Sequence, residues 1–205
     1  MKNIKFAIFL LVSLVLVTAP VAAAPKGTGG DLDKPRTTYF SVEYLYLNPN
    51  IAGGEDYDNT AIMGKVGMVM VPHLAVEGFL ALGIGSDKWT SENGCDSEEV
   101  STDRIIGVQA RGFVDLTPKF NIHGVIGYNI VTASRTISGA ESCYGYAWSE
   151  TTDDDEAAIT IGFGAELQLN SSSAIIANYQ MFYDDTYAGL DLQIPGYSVG
   201  YKRSF

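Results

Sequence analysis

The sequence is poor in basic residues, histidine and cysteine, and it has no long apolar run beyond its first residues. Lys and Arg total 13 against 24 Asp and Glu, which gives a formal net charge of -11. A chain of this charge repels nucleic-acid phosphates, so nucleic-acid binding is excluded as its main function. The two cysteines, Cys95 and Cys143, lie in polar sequence without further nearby ligands, which favours one disulfide over a metal site. We therefore expect no metal and no cofactor.

The amino terminus has the three parts of a secretory signal peptide. Lys2 and Lys5 precede an apolar run from Phe6 to Val17, and small residues follow. This run is shorter than the ~20 residues of a membrane-spanning helix, so a retained anchor is the lesser alternative. We predict cleavage after Ala23, or one residue to either side. The predicted domains are a signal peptide at 1–23, a flexible periplasmic leader at 24–36 and a barrel at 37–205.

Beyond the leader, the chain alternates between strand-like segments and turns. None of the segments has a 3.6-residue apolar period, and each has the length of a membrane-spanning strand, for which ~9 to 11 residues suffice. We predict eight strands, at 38–48, 60–71, 74–84, 104–114, 120–132, 157–169, 173–183 and 190–205.

The predicted connectors are short and long in alternation. The short ones are tight turns at 71–73, 115–119 and 170–172. The long ones are acidic loops at 49–59, 85–103, 133–156 and 184–189. Short turns on one side and long loops on the other are typical of an up-and-down outer-membrane barrel, with the turns in the periplasm.

The parity of the side chains indicates which face meets lipid. Ile159, Ile161 and Phe163 alternate with small or polar residues such as Thr160. A soluble barrel is the alternative, but its water-facing side would carry many Lys and Glu, whereas here the polar face is mainly Gly, Asn, Thr and Gln. We predict that the aliphatic face meets lipid. An interfacial girdle is predicted from tyrosines near segment ends, at Tyr44, Tyr46, Tyr128, Tyr183 and Tyr197.

A few charged residues fall on the opposite, lumen-facing parity. They are Glu43, Lys65, Glu77, Arg111 and Glu166. Opposite charges occur on neighbouring strands, and charges in a narrow lumen are costly unless paired. We expect a salt-bridge network that plugs the barrel. A narrow porin-like ion path is the alternative, although eight strands leave an interior that side chains just fill.

The polar connectors offer no catalytic pattern. His73 lies in a short turn and His123 follows another, so both are predicted near the periplasmic side, away from the outer leaflet where a lipid A-modifying enzyme would act. The run Asp153–Glu156 is interpreted as a solvated acidic loop. Cys95 and Cys143 fall in neighbouring long connectors, and a disulfide requires their Cα atoms to lie within about 7 Å. The long connectors also carry the aromatic residues Trp89, Tyr144, Tyr146 and Trp148. They could contact a host or phage receptor or lipopolysaccharide, but aromatic residues also lie at membrane interfaces without any binding partner.

Three stretches resemble the outer-membrane β-barrel domain family, the relatives of the OmpA transmembrane domain and OmpX. The hairpin at Gly67–Phe79 is similar to the family's Pro-x-Leu-Ala-Val-Glu hairpin, and Gly162–Leu169 is similar to its Gly-x-Gly-x-Glu strand. Ser198–Phe205 resembles its last strand, although Arg203 stands where the family usually has an aromatic residue. The resemblance implies that Phe205 is the signal read by the outer-membrane insertion machinery.

The expected protein is thus an all-β, eight-stranded antiparallel transmembrane barrel in a bacterial outer membrane, monomeric and not an enzyme. The resemblance implies a role in envelope integrity or adhesin-like surface recognition. Its partners would be outer-membrane lipids, including lipopolysaccharide, and the insertion machinery. A narrow channel and, further off, a lipid A-modifying enzyme are the alternatives.

Overall fold

A computed structural model describes residues 38–51, 57–91, 93–187 and 190–205. The predicted signal peptide at 1–23 and leader at 24–36 lie outside these residues. Among the described residues, no helix has the length and apolar character needed to cross a lipid bilayer.

In the part of the chain that the structure describes, eight long antiparallel strands form a closed ring, together with two short strands and one helical turn. In chain order these are β1 (Thr38–Leu47), β2 (Asn50–Ile51), β3 (Asn59–Val71), β4 (Leu74–Gly85), β5 (Asp87–Thr90), β6 (Asp96–Thr117), β7 (Phe120–Gly139), α1 (Glu141–Tyr144), β8 (Trp148–Asn170), β9 (Ser173–Tyr187) and β10 (Leu190–Ser204). Sequential long strands pair with one another, and β1 pairs with β10 to close the ring. The predicted eight-stranded barrel is confirmed.

The three turns at the end where β1 starts are all two residues long. They connect β3 to β4, β6 to β7 and β8 to β9. In the first of them His73 has a φ of 67°, a left-handed conformation that side chains rarely adopt and that the second central residue of a type II turn takes after proline. These turns lie where the sequence predicts periplasmic turns.

Three strands are much longer than the sequence predicts. The connectors expected at 85–103 and 133–156 are largely β structure, because β6, β7 and β8 continue past the lipid-facing band. The prediction was wrong because these extensions lack apolar alternation, which a sheet with water on both faces does not need. Hydroxyl pairs join the strands instead, as between Ser97 and Ser138 at 2.8 Å and between Thr136 and Thr151 at 2.9 Å.

The outward and inward faces of the ring follow the predicted parity. Ile159, Ile161 and Phe163 are 66%, 55% and 65% exposed, whereas Glu77 and Arg111 are 2% and 3% exposed. A continuous band of exposed aliphatic and aromatic side chains therefore surrounds the ring, and the charged groups are enclosed. This is the arrangement that a barrel in hydrocarbon requires.

One tyrosine of the predicted girdle points the wrong way. Tyr44, Tyr128 and Tyr197 are exposed, but Tyr183 is buried inside the ring. The cause is a bulge, because Pro195 pairs with Met181 and Ile194 pairs with Tyr183. The extra residue on β9 reverses the alternation, and a bulge is where a strand tolerates proline. Strand pairing continues across the bulge to Leu190, at the start of the strand predicted at 190–205.

Candidate functional site

The structure brings the five predicted lumen charges together. Lys65 Nζ lies 3.2 Å from Glu43 Oε1, and Arg111 contacts Glu77 at 3.4 Å and Glu166 at 2.6 Å. Each of these side chains is at most 3% exposed. Buried charges persist only when they are paired and hydrogen-bonded, and these are.

Sequence reasoning missed a sixth member of this network, Lys202. Its ammonium group lies 2.6 Å from Glu166 Oε2 and 4.4 Å from the centre of the Tyr39 ring. The signal was available, because Lys202 alternates with the lipid-facing Arg203 and so has lumen parity. With Lys202 included, three cations face three carboxylates. The network of ion pairs is therefore formally neutral.

Amide side chains connect the ion pairs across the lumen. Lys65 donates to Gln180 (3.1 Å), the Gln180 amide donates to Gln109 (2.8 Å), and the Gln109 amide donates to Glu77 (2.5 Å). Asn178 donates to Glu43 at 2.8 Å. None of these amides was singled out from the sequence, because a polar residue of lumen parity does not reveal its partner across the ring.

His123 belongs to the same network. One ring nitrogen lies 3.1 Å from Arg111 Nη2, and the other lies 2.6 Å from Asn178 Oδ1. His73 lies in the turn between β3 and β4, with its ring 5.8 Å from that of Phe113. Both histidines are thus held near the end of the barrel with the short turns.

A second tier of the lumen is apolar, which the sequence analysis did not predict. It is a buried cluster, the apolar plug, formed by Leu45, Leu47, Ala61, Met63, Phe79, Ala81, Ile105, Val131, Phe182, Tyr183 and Ile194. The rings of Phe79 and Phe182 lie 6.2 Å apart in it. Gly196 makes room for the plug, because a Cβ there would lie 2.8 Å from Phe182 and 3.0 Å from Leu45. The sequence analysis expected only the salt-bridge network to plug the lumen, and the apolar plug adds a second closure with the inward parity of Glu43.

Beyond the plug, parts of four strands form a sheet that we call the outer platform. It comprises residues 87–91, 93–102 and 132–156. A disulfide joins Cys95 to Cys143 with the Cα atoms 5.6 Å apart, within the distance that the sequence analysis required. The bridge ties α1 to the start of β6.

Aromatic side chains lie around the bridge. The Tyr144 hydroxyl donates a 2.8 Å hydrogen bond to Asp96, and that bond raises the pKa of Tyr144. The Tyr144 ring packs edge-on against Trp148 at 6.5 Å. Trp89 and Tyr146 are exposed. The platform thus presents aromatic groups to solvent from a fixed backbone.

The acidic run Asp153–Glu156 lies within β8, so its interpretation as a loop was wrong. Asp155 contacts Arg104 at 3.8 Å and accepts a hydrogen bond from Thr132. Among the described residues, no group of three or more His, Cys, Asp or Glu is arranged to hold a metal ion.

The last residue closes the ring at the end with the short turns. The Phe205 backbone amide donates to Thr38 O at 2.9 Å, and its ring stacks on Phe40 at 5.8 Å. The side chain is 45% exposed on the lipid-facing side. The end of the chain is thus paired with β1.

A family model for the outer membrane protein beta-barrel domain matches residues 7–205. The chain belongs to this family. The match covers all eight long strands, and the protein is located in the bacterial outer membrane, as predicted. No curated protein sequence matches the chain.

Solved structures of family-like barrels share the fold. Ail of Yersinia pestis, the attachment invasion locus protein, is 13% identical, with a TM-score of 0.58 over 83% of this chain and 99% of Ail. Neisserial surface protein A gives 11% identity and 0.55, over 82% of this chain and 97% of that one. OprG of Pseudomonas aeruginosa gives 10% and 0.55, over 83% and 96%. At these identities the likeness extends to the fold alone.

Proposed function

We propose that this family member is a closed, non-conducting barrel that displays the outer platform as a recognition surface and contributes to envelope integrity. The observation that carries the proposal is the double closure of the lumen. The apolar plug and the neutral network of ion pairs fill it with buried side chains. Because side chains fill the lumen, the outer platform is the part of this barrel that remains available to bind a partner.

The sign of the platform's charge supports a cationic partner. Glu98, Glu99, Glu150 and the run Asp153–Glu156 make it strongly acidic. Ail has been crystallised with sucrose octasulfate, a heparin analogue and therefore a polyanion. This platform would repel such a ligand. We infer an adhesin-like role with the opposite charge preference.

The remaining contacts of the barrel follow from its surface. The aliphatic band meets the outer-membrane lipids and lipopolysaccharide, and the exposed ring of Phe205 is offered to the insertion machinery. The ring is complete within one chain, which suits a monomer. We propose no catalytic role: the buried His123 is enclosed in hydrogen bonds at the periplasmic end, away from the outer leaflet.

The test uses the purified mature chain in nanodiscs of zwitterionic lipid. We expect retention on polylysine-coated beads and none on heparin-coated beads. Changing Glu98, Glu99, Glu150 and Asp153 to their amides should abolish retention. Equal retention of this variant, or retention on heparin, would contradict a platform that recognises cationic partners.

A narrow channel is the second candidate, and the observation that favours it is Arg111 at the centre of the lumen. Steady single-channel openings in planar bilayers, abolished by Arg111→Met, would support the channel and contradict the closed barrel. Changes in lipid A between cells with and without the gene, seen by mass spectrometry, would support an enzyme instead.

A further inference from the structure

The first half of β8 has a paired neighbour on one side only. It pairs with β7 from Trp148 opposite Gly139 to Leu167 opposite Phe120. Its pairing with β9 begins only at Ile161. Within the described ranges, residues 148–157 therefore present an open backbone edge. At the rise of a β-strand this edge is about 33 Å long.

The cause is the bulge at Pro195. Beyond Met181, β9 follows β10, with Tyr183 opposite Ile194 and Asp184 opposite Gln193. The upper part of β9 therefore no longer runs beside β8. A gap opens between the two strands above the plug.

The side chains along the open edge are acidic. Glu150, Asp153, Asp154, Asp155 and Glu156 lie within it, and Asp155 is the one of these five that forms an ion pair with another described residue. Charged side chains on an edge strand prevent pairing with an identical strand, since like charges would be brought opposite each other. A second copy of this chain is therefore a poor occupant, and a strand of opposite charge is a good one.

The surface beside the open edge combines apolar groups with two carboxylates. A shallow groove there is lined by Val131, Ala133, Asp154, Glu156, Tyr183, Leu192 and Ile194. Lysine and arginine lay an aliphatic stem along an apolar surface and keep a charged head in water, so they match a surface that carries both kinds of group.

We propose that the open edge of β8 binds an extended, lysine- or arginine-rich polypeptide as an additional strand, with its basic side chains against Asp154 and Glu156. The backbone edge supplies affinity, and the acidic side chains select the partner's charge. The proposal rests on the recognition role of the outer platform and names its site and partner class.

The experiment measures peptide binding to the mature chain in zwitterionic nanodiscs. The probe is a synthetic peptide of alternating Lys and Thr that spans the edge. The first comparison peptide replaces every second Thr with Pro, which keeps the charge and removes hydrogen-bond donors. The second replaces Lys with Glu. The test variant is D154N/E156Q, and the matched control is E99Q/D103N, which removes the same charge from β6.

We expect the Lys-Thr peptide to bind, and the other two peptides to bind weakly or not at all. D154N/E156Q should weaken binding by about tenfold, since two partly exposed ion pairs are lost. The control should change binding by no more than about twofold, because its charges lie two strands away.

Equal binding of the proline peptide, or equal losses in the two variants, would overturn the edge site and leave a diffuse electrostatic surface. Absence of peptide binding with polylysine retention intact would overturn the edge site alone. Absence of both would overturn the recognition role as well.

Discussion

Arg111 Nη2 lies 2.6 Å from Glu166 Oε2, and the strands that carry these two residues are not neighbours. Arg111 is on β6 and Glu166 is on β8, and β7 pairs with both strands between them. The contact therefore crosses the lumen side of an intervening strand. Such a contact fixes the curvature of the ring as well as the register of a single pair.

Removing the Arg111 guanidinium should destabilise the barrel severely. Arg111→Met leaves Glu77 and Glu166 without their shared partner, and breaking a buried ion pair costs about 3 to 5 kcal/mol. The free energy of unfolding in urea, followed by heat-modifiable migration in a gel, measures the loss. The double variant Arg111→Met/Glu77→Gln restores charge balance and should recover part of it. Wild-type stability in Arg111→Met would contradict the network's structural role.

The apolar plug predicts a large cost for Phe182→Ala. The change leaves a cavity against Phe79 and Gly196, and such truncations cost about 3 to 5 kcal/mol. Phe163→Ala is the matched control, because Phe163 faces lipid that can fill the space. The same urea titration should show a clearly smaller loss for the control. Equal losses would mean that Phe182 is not enclosed.

The lipid-facing band predicts a polarity effect at Ile161. An Arg on the lipid face costs about 2 to 4 kcal/mol near the bilayer midplane, so Ile161→Arg should reduce the free energy of unfolding by that amount. Thr151→Arg, on the outer platform beyond the band, loses only its hydroxyl contact with Thr136 and should lower the free energy of unfolding by about 1 kcal/mol or less. Folding into lipid vesicles under a urea gradient measures both. An unchanged free energy of unfolding in Ile161→Arg would mean that the face of β8 carrying Ile161 does not contact lipid.

The disulfide predicts a local effect. In Cys95→Ser/Cys143→Ser, α1 loses its covalent tie to the start of β6, so protease cleavage near residues 91–95 and 140–147 should accelerate. Barrel unfolding should not change, since the membrane-spanning ladders do not involve the bridge. Mass spectrometry of limited digests locates the cuts. Unchanged digestion would show that the tie does not restrain the platform.

The alternation of apolar and polar residues in the sequence was sufficient to predict the ring. It also predicted which face of each strand points outward and which points into the lumen. Ile159, Ile161 and Phe163 point outward and Glu77 points inward, because the strand period of two converts one orientation into all the others. The three short turns were identifiable for the same reason, since each interrupts the alternation with turn-forming residues.

The rest depended on information that parity does not contain. The platform strands carry Ser, Thr and Asp on both faces. A sheet with water on both sides needs no apolar alternation, so no pattern in the sequence indicated these strands. The bulge opposite Pro195 turned Tyr183 inward, because one extra residue exchanges the inward-facing and outward-facing positions in the rest of the strand. The link from Lys65 through Gln180 to Gln109 joins strands far apart in sequence, and only the closed ring brings them together.

Quenching of tryptophan fluorescence tests the central claim most directly, in a background where Trp89 and Trp148 are changed to Phe. In vesicles with brominated acyl chains, Ile161→Trp should be strongly quenched, because its side chain faces lipid. Phe182→Trp should be quenched neither by brominated lipid nor by aqueous iodide, because the plug excludes both. Quenching of Phe182→Trp by iodide, or protection of Ile161→Trp from brominated lipid, would contradict a closed barrel with its apolar face in the membrane.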